Sequence, residues 1–196
     1  FVAPDNGVLS YALSRFDNVR AVEITQSLPD ASNTFHGRDV FAPAAAKLSV
    51  GAPLESLGTP LPRLVTMPAP QLDIDSTGRV FGEIVHIDRF GNLITSIGHM
   101  RWVNDARLTL VSAFSRATDP LPVLAERAEV RVGGTVIMNI RHTYSEAERG
   151  ALLALIGSSS FLEISVNQGN AAARLDVAIG DRVELAIGGV DAAVLD

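Results

Sequence analysis

The sequence predicts an α/β domain over residues 1–72, followed by a small antiparallel β-barrel over residues 73–196. Three observations support this fold class. Strand-like and helix-like segments alternate in the first third of the chain, five prolines interrupt regular structure between Ala52 and Pro70, and six or seven short strands with turns follow. Alternating strands and helices are typical of α/β units, whereas many short strands favour a barrel or sandwich.

The first part contains the predicted end of a strand at Phe1–Ala3, a turn at Asp5–Gly7, and then a helix, a strand and a second helix. Val19 to Ile24 alternates between apolar and polar residues, as a strand does. Val8 to Leu13 has helical spacing, and the alanine-rich segment from Arg38 to Ser49 predicts a second helix. Pro43 is tolerated only near the start of that helix or at a kink, and Gly51 is suited to its C-terminal end.

Short strands joined by turns are predicted for the second part. Gly133 and Gly134 lie between two alternating segments, which is a good signal for a two-residue hairpin. The expected strands are Arg79–Asp88, Leu93–Ile97, Arg107–Ser112, Glu129–Val132, Thr135–Ile140, Phe161–Val166 and Arg182–Ile187. The proline-rich segment before them is interpreted as an extended crossing without regular structure.

Composition excludes several functional classes. A net charge of -6 has the wrong sign for a protein that neutralises nucleic-acid phosphates. The chain has no cysteine, so it has neither a disulfide nor a thiolate metal site. The least charged stretch, Gly150 to Leu162, is too short to span a membrane. Because residue 1 is Phe, the chain is expected to begin part-way through a larger gene product, and a cytoplasmic location is expected with export left open.

Common catalytic motifs are missing from the sequence. It has no phosphate-binding GxxxxGK, no GxGxxG, no GxSxG and no HExxH. The four histidines are far apart without the spacing of metal ligands, so no metal site is expected. The serines at 158–160 are typical of a polar turn before a strand.

The segment from His86 to Asn92 contains more polar and aromatic side chains than a strand and its turn need for packing. An Asp, a Phe and an Asn at one rim suit a nucleoside with an amino-acid tail: the aromatic ring stacks, the carboxamide reads a base edge and the carboxylate takes an ammonium or hydroxyls. The alternative is a hairpin in which Asn92 adopts a left-handed turn conformation and Phe90 caps the core. The residues alone favour this purely structural alternative.

Five segments, in this order, resemble the S-adenosyl-L-methionine (SAM) hydrolase family, also called SAM hydroxide adenosyltransferases, which are relatives of the fluorinating and chlorinating SAM enzymes. They are FVAPDNGVL (1–9), TFHGRDVFAPAAA (34–46), HIDRFGNLITSI (86–97), SSSFLEISVNQGNAA (158–172) and GDRVEL (180–185). The resemblance covers nearly the whole chain and implies an N-terminal α/β domain and a C-terminal β-barrel. The N-terminal part of the family pattern, with the Asp and Arg partners of the active-site histidine, is expected to be absent.

The resemblance implies a substrate-binding set in the barrel part: Asp88, Phe90, Asn92, Ser158 and Gln168. Asp88 is expected to hold the amino-acid part of the substrate, Phe90 to line the pocket and Asn92 to address the adenine. Ser158 matches a serine that binds the methionine carboxylate or amine, and the backbone around Gln168 matches a segment along the adenine edge.

Two residues of the last motif need separate interpretation. Where this chain has Ser159, the halogenating relatives carry an Arg, so the residue that contacts the methionine carboxylate is left open. Glu163 is interpreted as a strand residue of the barrel without a role in the site.

His36 is the candidate catalytic residue. Adenosyl transfer to water displaces a neutral thioether from the ribose C5′, so the enzyme must position a water molecule and help it lose a proton. The halogenating relatives resemble this motif with Tyr in place of His, so His36 favours hydroxide over halide, and Gly37 leaves room beside the nucleophile. For an isolated histidine, a partly buried side chain bonded to a backbone carbonyl is the alternative.

The function that the resemblance implies is hydrolysis of SAM to adenosine and L-methionine, and no metal or redox cofactor is expected. The resemblance also implies a homotrimer with the active site at the subunit interface. Three alternatives stay open: a 5′-halogenase, a non-catalytic module that binds SAM or adenosine, and an oligomeric structural protein with a degenerate pocket.

Overall fold

The structure, a computed structural model, describes residues 1–26, 29–113 and 119–187. It divides into two compact units, Phe1–Ala69 and Pro70–Asp196. Residues 188–196 of the expected second domain lie outside the described residues.

The first unit contains short helices and one pair of short strands. Its elements are α1 (Ser10–Leu13), β1 (Val22–Ile24), a π-helical turn (Gly37–Phe41), α2 (Ala42–Ser49), a 3-10 turn (Leu54–Leu57) and β2 (Gly58–Pro60). Strands β1 and β2 pair antiparallel. The α/β class expected for this part is therefore met only loosely.

The structure can be compared with two predictions for the first unit: the alanine-rich helix and the proline-rich segment without regular structure. The predicted helix from Arg38 to Ser49 is divided between the π-helical turn and α2, and Pro43 is the second residue of α2, directly after the π-helical turn. Gly51 follows α2 with φ +90°. The expectation that the proline-rich segment lacks regular structure is wrong at Gly58–Pro60, because β2 pairs with β1 at that point.

The second unit is mostly β-structure. Its strands are β3 (Leu72–Ile74), β4 (Arg79–Ile87), β5 (Leu93–Gly98), β6 (Met100–Asn104), β7 (Arg107–Leu110), β8 (Leu121–Leu124), β9 (Glu129–Val132), β10 (Thr135–Met138), β11 (Ile140–Arg141), β12 (Leu152–Ile156), β13 (Phe161–Val166) and β14 (Arg182–Ala186). One short helix, α3 (Ala171–Leu175), follows β13.

Nine of these strands form one curved sheet. The order is β10-β9-β14-β4-β5-β13-β12-β11, with β3 also paired to β4, and every pair is antiparallel except β11 with β12. Strands β10 and β11 lie at opposite ends of this order but are separated by a single residue in the chain. The sheet is therefore nearly closed into a barrel, as expected. Strands β6, β7 and β8 form a separate three-stranded sheet.

Alternating residues of the strands fill the core of the second unit. In β13, Leu162, Ile164 and Val166 belong to the buried apolar cluster, so Glu163 and Ser165 lie on the other face of the strand. The hairpin at Gly133–Gly134 is confirmed, with positive φ at both glycines. No helix in the described ranges is both long enough and apolar enough to cross a membrane.

Candidate functional site

The hairpin between β4 and β5 is organised by the carboxylate of Asp88. Its Oδ1 accepts hydrogen bonds from the backbone N–H groups of Phe90 (2.8 Å) and Asn92 (2.9 Å), and its Oδ2 accepts one from Asn92 Nδ2 at 3.0 Å. The Asp88 N–H donates to the Asn92 carbonyl at 3.0 Å, which closes the turn. One side chain therefore fixes both the backbone of the turn and the carboxamide of Asn92.

These hydrogen bonds favour the ionised form of Asp88. Desolvation alone would raise the pKa of its carboxyl group, but the hydrogen bonds from Asn92 and Phe90 stabilise the ionised form and together outweigh it. The pKa of Asp88 consequently lies below its usual value, so this carboxylate stays ionised to a lower pH than an ordinary Asp.

The purely structural interpretation of this hairpin is correct in part. A hairpin forms, but Gly91 rather than Asn92 takes the left-handed conformation, with φ +85°. Phe90 is 62% exposed and so does not cap the core, and the Arg89 guanidinium lies 5.0 Å from its ring centre. Asn92 is only 9% exposed. The hairpin thus carries an exposed aromatic ring two residues before a largely buried carboxamide that Asp88 orients.

A second loop, residues 167–170 after β13, packs against the hairpin. The Gly91 carbonyl accepts hydrogen bonds from the N–H groups of Ala171 and Ala172, both at 3.1 Å. Asn170 lies directly against Gly91 and accepts a hydrogen bond from the Ala173 N–H at 2.8 Å, which caps α3. Gln168 is exposed in this loop with φ +57°. The structure therefore brings the Gln168 loop to the hairpin of Asp88, Phe90 and Asn92.

Ser158 lies at the other end of β13. It is exposed in the turn that joins β12 to β13, as expected for a polar turn. The Phe161 end of β13, next to this turn, pairs with Gly98, whereas Ile164 pairs with Leu93, the neighbour of Asn92. The length of β13 therefore separates Ser158 from the hairpin.

Two polar side chains that sequence reasoning did not include in the site lie along β13 between these ends. The Tyr144 hydroxyl donates a hydrogen bond to Glu163 Oε1, which also accepts one from Ser165 Oγ at 2.9 Å. Burial and the Glu163 carboxylate raise the pKa of Tyr144 to about 12, and the charge of Asp88 adds to this effect. The alternation of β13 was the available signal for Glu163, since it predicts an outward side chain; no local pattern indicates Tyr144.

His36 belongs to the first unit, just before the π-helical turn, and its side chain is exposed. It lines a cavity of about 720 Å³ within that unit. Most of the lining is apolar, and Leu13, Phe16 and Leu57 are examples. The side chain of His36 is therefore more exposed than the alternative of a partly buried histidine bonded to a backbone carbonyl expects, and its catalytic role stays a prediction.

An ion pair lies next to His36. Arg38 donates to both carboxylate oxygens of Asp39, at 2.5 and 2.9 Å, and Asp39 also accepts from the Ser32 N–H at 2.8 Å. The hydrogen bond from Arg38 is the largest cause that lowers the pKa of Asp39 to about 2. Asp39 is 5% exposed and stays ionised, so it fixes the loop that precedes the helix.

The described residues contain no group of three or more side chains that could ligate a metal ion. The predicted site residues thus occur in three places: Asp88, Phe90, Asn92 and Gln168 together, Ser158 at the far end of β13, and His36 in the first unit.

Two family models match the chain. The C-terminal domain of the SAM hydroxide adenosyltransferases matches residues 82–184, and the N-terminal domain matches residues 1–58. The N-terminal domain is thus recognisable in residues 1–58, which corrects the expectation that this part of the family pattern is absent. The absence of the Asp and Arg partners of His36 stays a prediction.

Known proteins are similar along most of the chain. An (R)-S-adenosyl-L-methionine hydrolase of Salinispora tropica is 34% identical over 193 residues, covering 95% of this chain and 65% of the relative. One of Thermus thermophilus is 35% identical over 94% of this chain and 66% of its own length. A fluorinase of Actinopolyspora mzabensis is 30% identical over 79% of this chain and 56% of its own length. This chain thus spans slightly less than two thirds of the hydrolases that it matches.

A solved structure supports the same relationship. The crystal structure of an uncharacterized conserved protein from Thermotoga maritima superimposes with a TM-score of 0.63 at 33% identity, covering 94% of this chain and 66% of that one. With a domain model matching more than half of its residues, the chain belongs to the SAM hydroxide adenosyltransferase family.

Proposed function

We propose that the protein hydrolyses SAM to adenosine and L-methionine. The observation that carries this proposal is the identity of 34 to 35% with hydrolases named for this reaction, over about 95% of the chain. The fluorinase matches a smaller share of this chain, at lower identity.

The chemistry requires little from the protein beyond positioning. Water attacks the ribose C5′ as the bond from C5′ to sulfur breaks; the electron pair of that bond stays on sulfur, which leaves as the neutral thioether of methionine. The attacking water loses a proton to a base, so the products are adenosine and L-methionine. Neither electron transfer nor leaving-group protonation is needed, and we propose that no metal or redox cofactor takes part.

Asn92 and Phe90 are proposed to bind the adenosyl group. Asn92 uses one N–H for Asp88, which leaves its carbonyl oxygen and its second N–H for the paired acceptor and donor of an adenine edge. Phe90 offers an exposed ring on which a base or ribose can pack. Gln168, in the loop packed against this hairpin, is proposed to lie along the same edge of the adenine.

Asp88 and Ser158 are proposed to bind the methionine part. The carboxylate of Asp88 stays ionised and so complements the positive charge of the substrate. Ser158 is exposed in its turn and offers a hydroxyl for the carboxylate or the amine.

His36 is proposed to orient and deprotonate the attacking water. It is exposed and has no bulky neighbour in Gly37, where an added Cβ would meet no atom within 4 Å. The open space suits a small nucleophile, and a ring nitrogen of the neutral imidazole can accept its proton.

We propose a homotrimer with active sites at the subunit interfaces, and a first unit that is part of an α/β domain. His36 and the substrate-binding residues belong to different units, which supports a site shared between subunits. The proposed substrate also implies a cytoplasmic location. Mixing inactive His36→Ala and Asn92→Ala subunits should restore part of the activity, and no recovery in mixed trimers would contradict a shared site.

The reaction is tested with SAM in ¹⁸O-labelled water. Adenosine labelled at the 5′-hydroxyl is the expected product. Unlabelled adenosine would contradict attack by water at C5′, and 5′-chloroadenosine formed at a comparable rate in chloride buffer would assign the chain to the halogenating branch. Adenosine binding without turnover, measured by calorimetry, would support a non-catalytic module instead.

A further inference from the structure

Asp88 holds the side-chain amide of Asn92 in one orientation. Asn92 Nδ2 donates to Asp88 Oδ2 at 3.0 Å, while the backbone N–H of Asn92 donates to Oδ1 of the same carboxylate at 2.9 Å. An ionised carboxylate only accepts hydrogen bonds, and the lowered pKa of Asp88 favours this form. If the amide of Asn92 were rotated by half a turn, its own oxygen would face Oδ2, and the two acceptors would repel each other. Asp88 therefore determines which side of the amide carries the oxygen.

The oriented amide is still accessible from the solvent. Asn92 is only 9% exposed, but in the described ranges no side-chain nitrogen or oxygen that is sealed from solvent lacks a hydrogen-bond partner. The Asn92 side chain makes one hydrogen bond in those ranges, through Nδ2, so its Oδ1 keeps contact with the solvent. This oxygen and the second N–H of Nδ2 are suited to a ligand that offers a donor beside an acceptor.

Purine bases differ at position 6 in a way that a fixed amide can distinguish. The 6-amino group of adenine donates a hydrogen bond beside a ring nitrogen that accepts one, whereas a 6-oxo purine has an accepting oxygen in the same place. The amide of Asn92 can offer its oxygen to the 6-amino group and its N–H to the ring nitrogen. A 6-oxo purine bound in the same way would place two oxygens against each other, because Asp88 prevents the amide from rotating.

We propose that Asp88 is a positioning residue that makes the site select 6-amino over 6-oxo purine nucleosides, by fixing the amide of Asn92. This inference rests on the proposed function and adds a determinant of base specificity to the same site. It concerns the base alone and is separate from the contact of Asp88 with the methionine part. One consequence is that the product adenosine, which keeps the selected base edge, competes with SAM, whereas its deaminated form inosine does not.

The first test uses calorimetry on the unsubstituted full chain with adenosine, inosine and purine riboside, which has only a hydrogen at position 6. All three lack the methionine part, so a contact of Asp88 with that part does not affect the comparison. Adenosine should bind at least about tenfold more tightly than inosine. Purine riboside should lie between them, because it loses one hydrogen bond but brings no opposing oxygen. Equal affinities for adenosine and inosine would show that the amide is free to rotate and would overturn the proposal.

Asp88→Asn tests the carboxylate itself. The backbone N–H groups of Phe90 and Asn92 both donate to Asp88 Oδ1, so the oxygen of the new amide should take that place and its NH₂ group should face Asn92. This NH₂ group should pair with Asn92 Oδ1 and rotate the amide of Asn92. The ratio of the inosine Kd to the adenosine Kd should then fall at least about tenfold. A merely structural role would weaken both nucleosides alike, and an unchanged ratio would therefore overturn the proposal.

Asp75→Asn is the matched control. Asp75 organises the turn at the opposite end of β4 in a similar way, since its Oδ1 accepts from the N–H groups of Thr77 at 2.8 Å and Arg79 at 3.0 Å. This variant should leave the ratio of the two Kd values unchanged. If Asp88→Asn does not fold, the order of the three nucleosides on the unsubstituted chain still decides the proposal.

The selectivity and the proposed function can fail separately. Selective binding of adenosine without hydrolysis of SAM would contradict the proposed function and support the role of Asp88. Hydrolysis of SAM with equal affinities for adenosine and inosine would support the function and overturn the role of Asp88. A chain that binds none of the three nucleosides would overturn both.

Discussion

Gly91 and Asn170 are in such close contact that a Cβ added to Gly91 would lie 2.1 Å from Asn170 Cγ. The contact joins the hairpin of Asp88 and Asn92 to the loop that contains Gln168. Gly91 also has φ +85°, a conformation that residues with a Cβ adopt at a cost of about 1–2 kcal/mol. The position therefore requires glycine for two independent reasons.

Gly91→Ala should lower both stability and the affinity for adenosine. The new methyl group must displace the Asn170 side chain, which then loses its hydrogen bond to the N–H of Ala173; loss of such a cap costs about 1 kcal/mol. Urea unfolding should detect this loss in addition to the backbone strain. Adenosine calorimetry should show weaker binding because the two loops separate.

Gly134→Ala separates the two effects. Gly134 has φ +75° in the β9–β10 hairpin, but a Cβ there would meet no atom within 4 Å. This variant should carry the strain alone, with unchanged adenosine affinity. In an Asn170→Ala background the two glycine substitutions should become equally destabilising, and a persistent difference would show that Asn170 is not the cause.

Asn92→Ala and His36→Ala should fail in different ways. Asn92→Ala should weaken SAM and adenosine together, since an unpaired base edge costs about 1–3 kcal/mol. His36→Ala should reduce turnover while adenosine affinity changes by only a few fold, because a group acting on water is used mainly in the transition state. Steady-state kinetics and calorimetry on both variants measure this, and parallel losses in both quantities would show that the roles are wrongly assigned.

What could be predicted from the sequence depends on how local each feature is. The strand Phe161–Val166 was predicted from its alternation and is confirmed at both ends, and the Gly133–Gly134 hairpin was predicted from its turn residues. Strand β12, Leu152–Ile156, was missed because it is a continuous apolar run that shows no period. In β12, Leu153 and Ala154 are both buried, so its two faces are covered and no alternation is present to detect.

The site also contains features that depend on local sequence and features that depend on contacts between distant segments. Asp88, Phe90 and Asn92 are close in sequence, so the turn chemistry that holds them together could be anticipated. The contact of Gly91 with Asn170 and that of Tyr144 with Glu163 join segments that are distant in sequence. Such contacts depend on strand order and register, which composition and periodicity do not specify.

Asp39 should make the first unit sensitive to acid. Its carboxyl pKa is about 2 in the folded chain against an ordinary value of 3.8, so its stabilising effect is complete above 3.8 and is lost as the pH falls toward 2. Asp39→Asn should remove this dependence. Hydrogen exchange of the segment 29–49, measured between pH 2 and 6 and corrected for the intrinsic rate, reports on the unit that contains Asp39.

Asp75→Asn is the control for this measurement, because Asp75 has a lowered pKa through its hydrogen bond with Thr77 but belongs to the second unit. It should leave the acid response of segment 29–49 unchanged. If Asp39→Asn and the unsubstituted chain lose protection in parallel, another group is responsible.

Tyr144 should titrate at unusually high pH. Burial is the largest cause that raises its pKa from 10.0 to about 12, followed by its hydrogen bond to Glu163. Because the folded chain keeps the phenol proton after the unfolded chain has lost it, Tyr144 should lower stability progressively as the pH rises from 10 to 12. The chain has only two tyrosines, so the difference in tyrosinate absorbance between the unsubstituted chain and Tyr144→Phe isolates this group.

Glu163→Gln should shift the titration of Tyr144 only part of the way back toward 10, since burial remains. A midpoint near 10 in the unsubstituted chain, or a complete return to 10 in Glu163→Gln, would contradict this account of the pair.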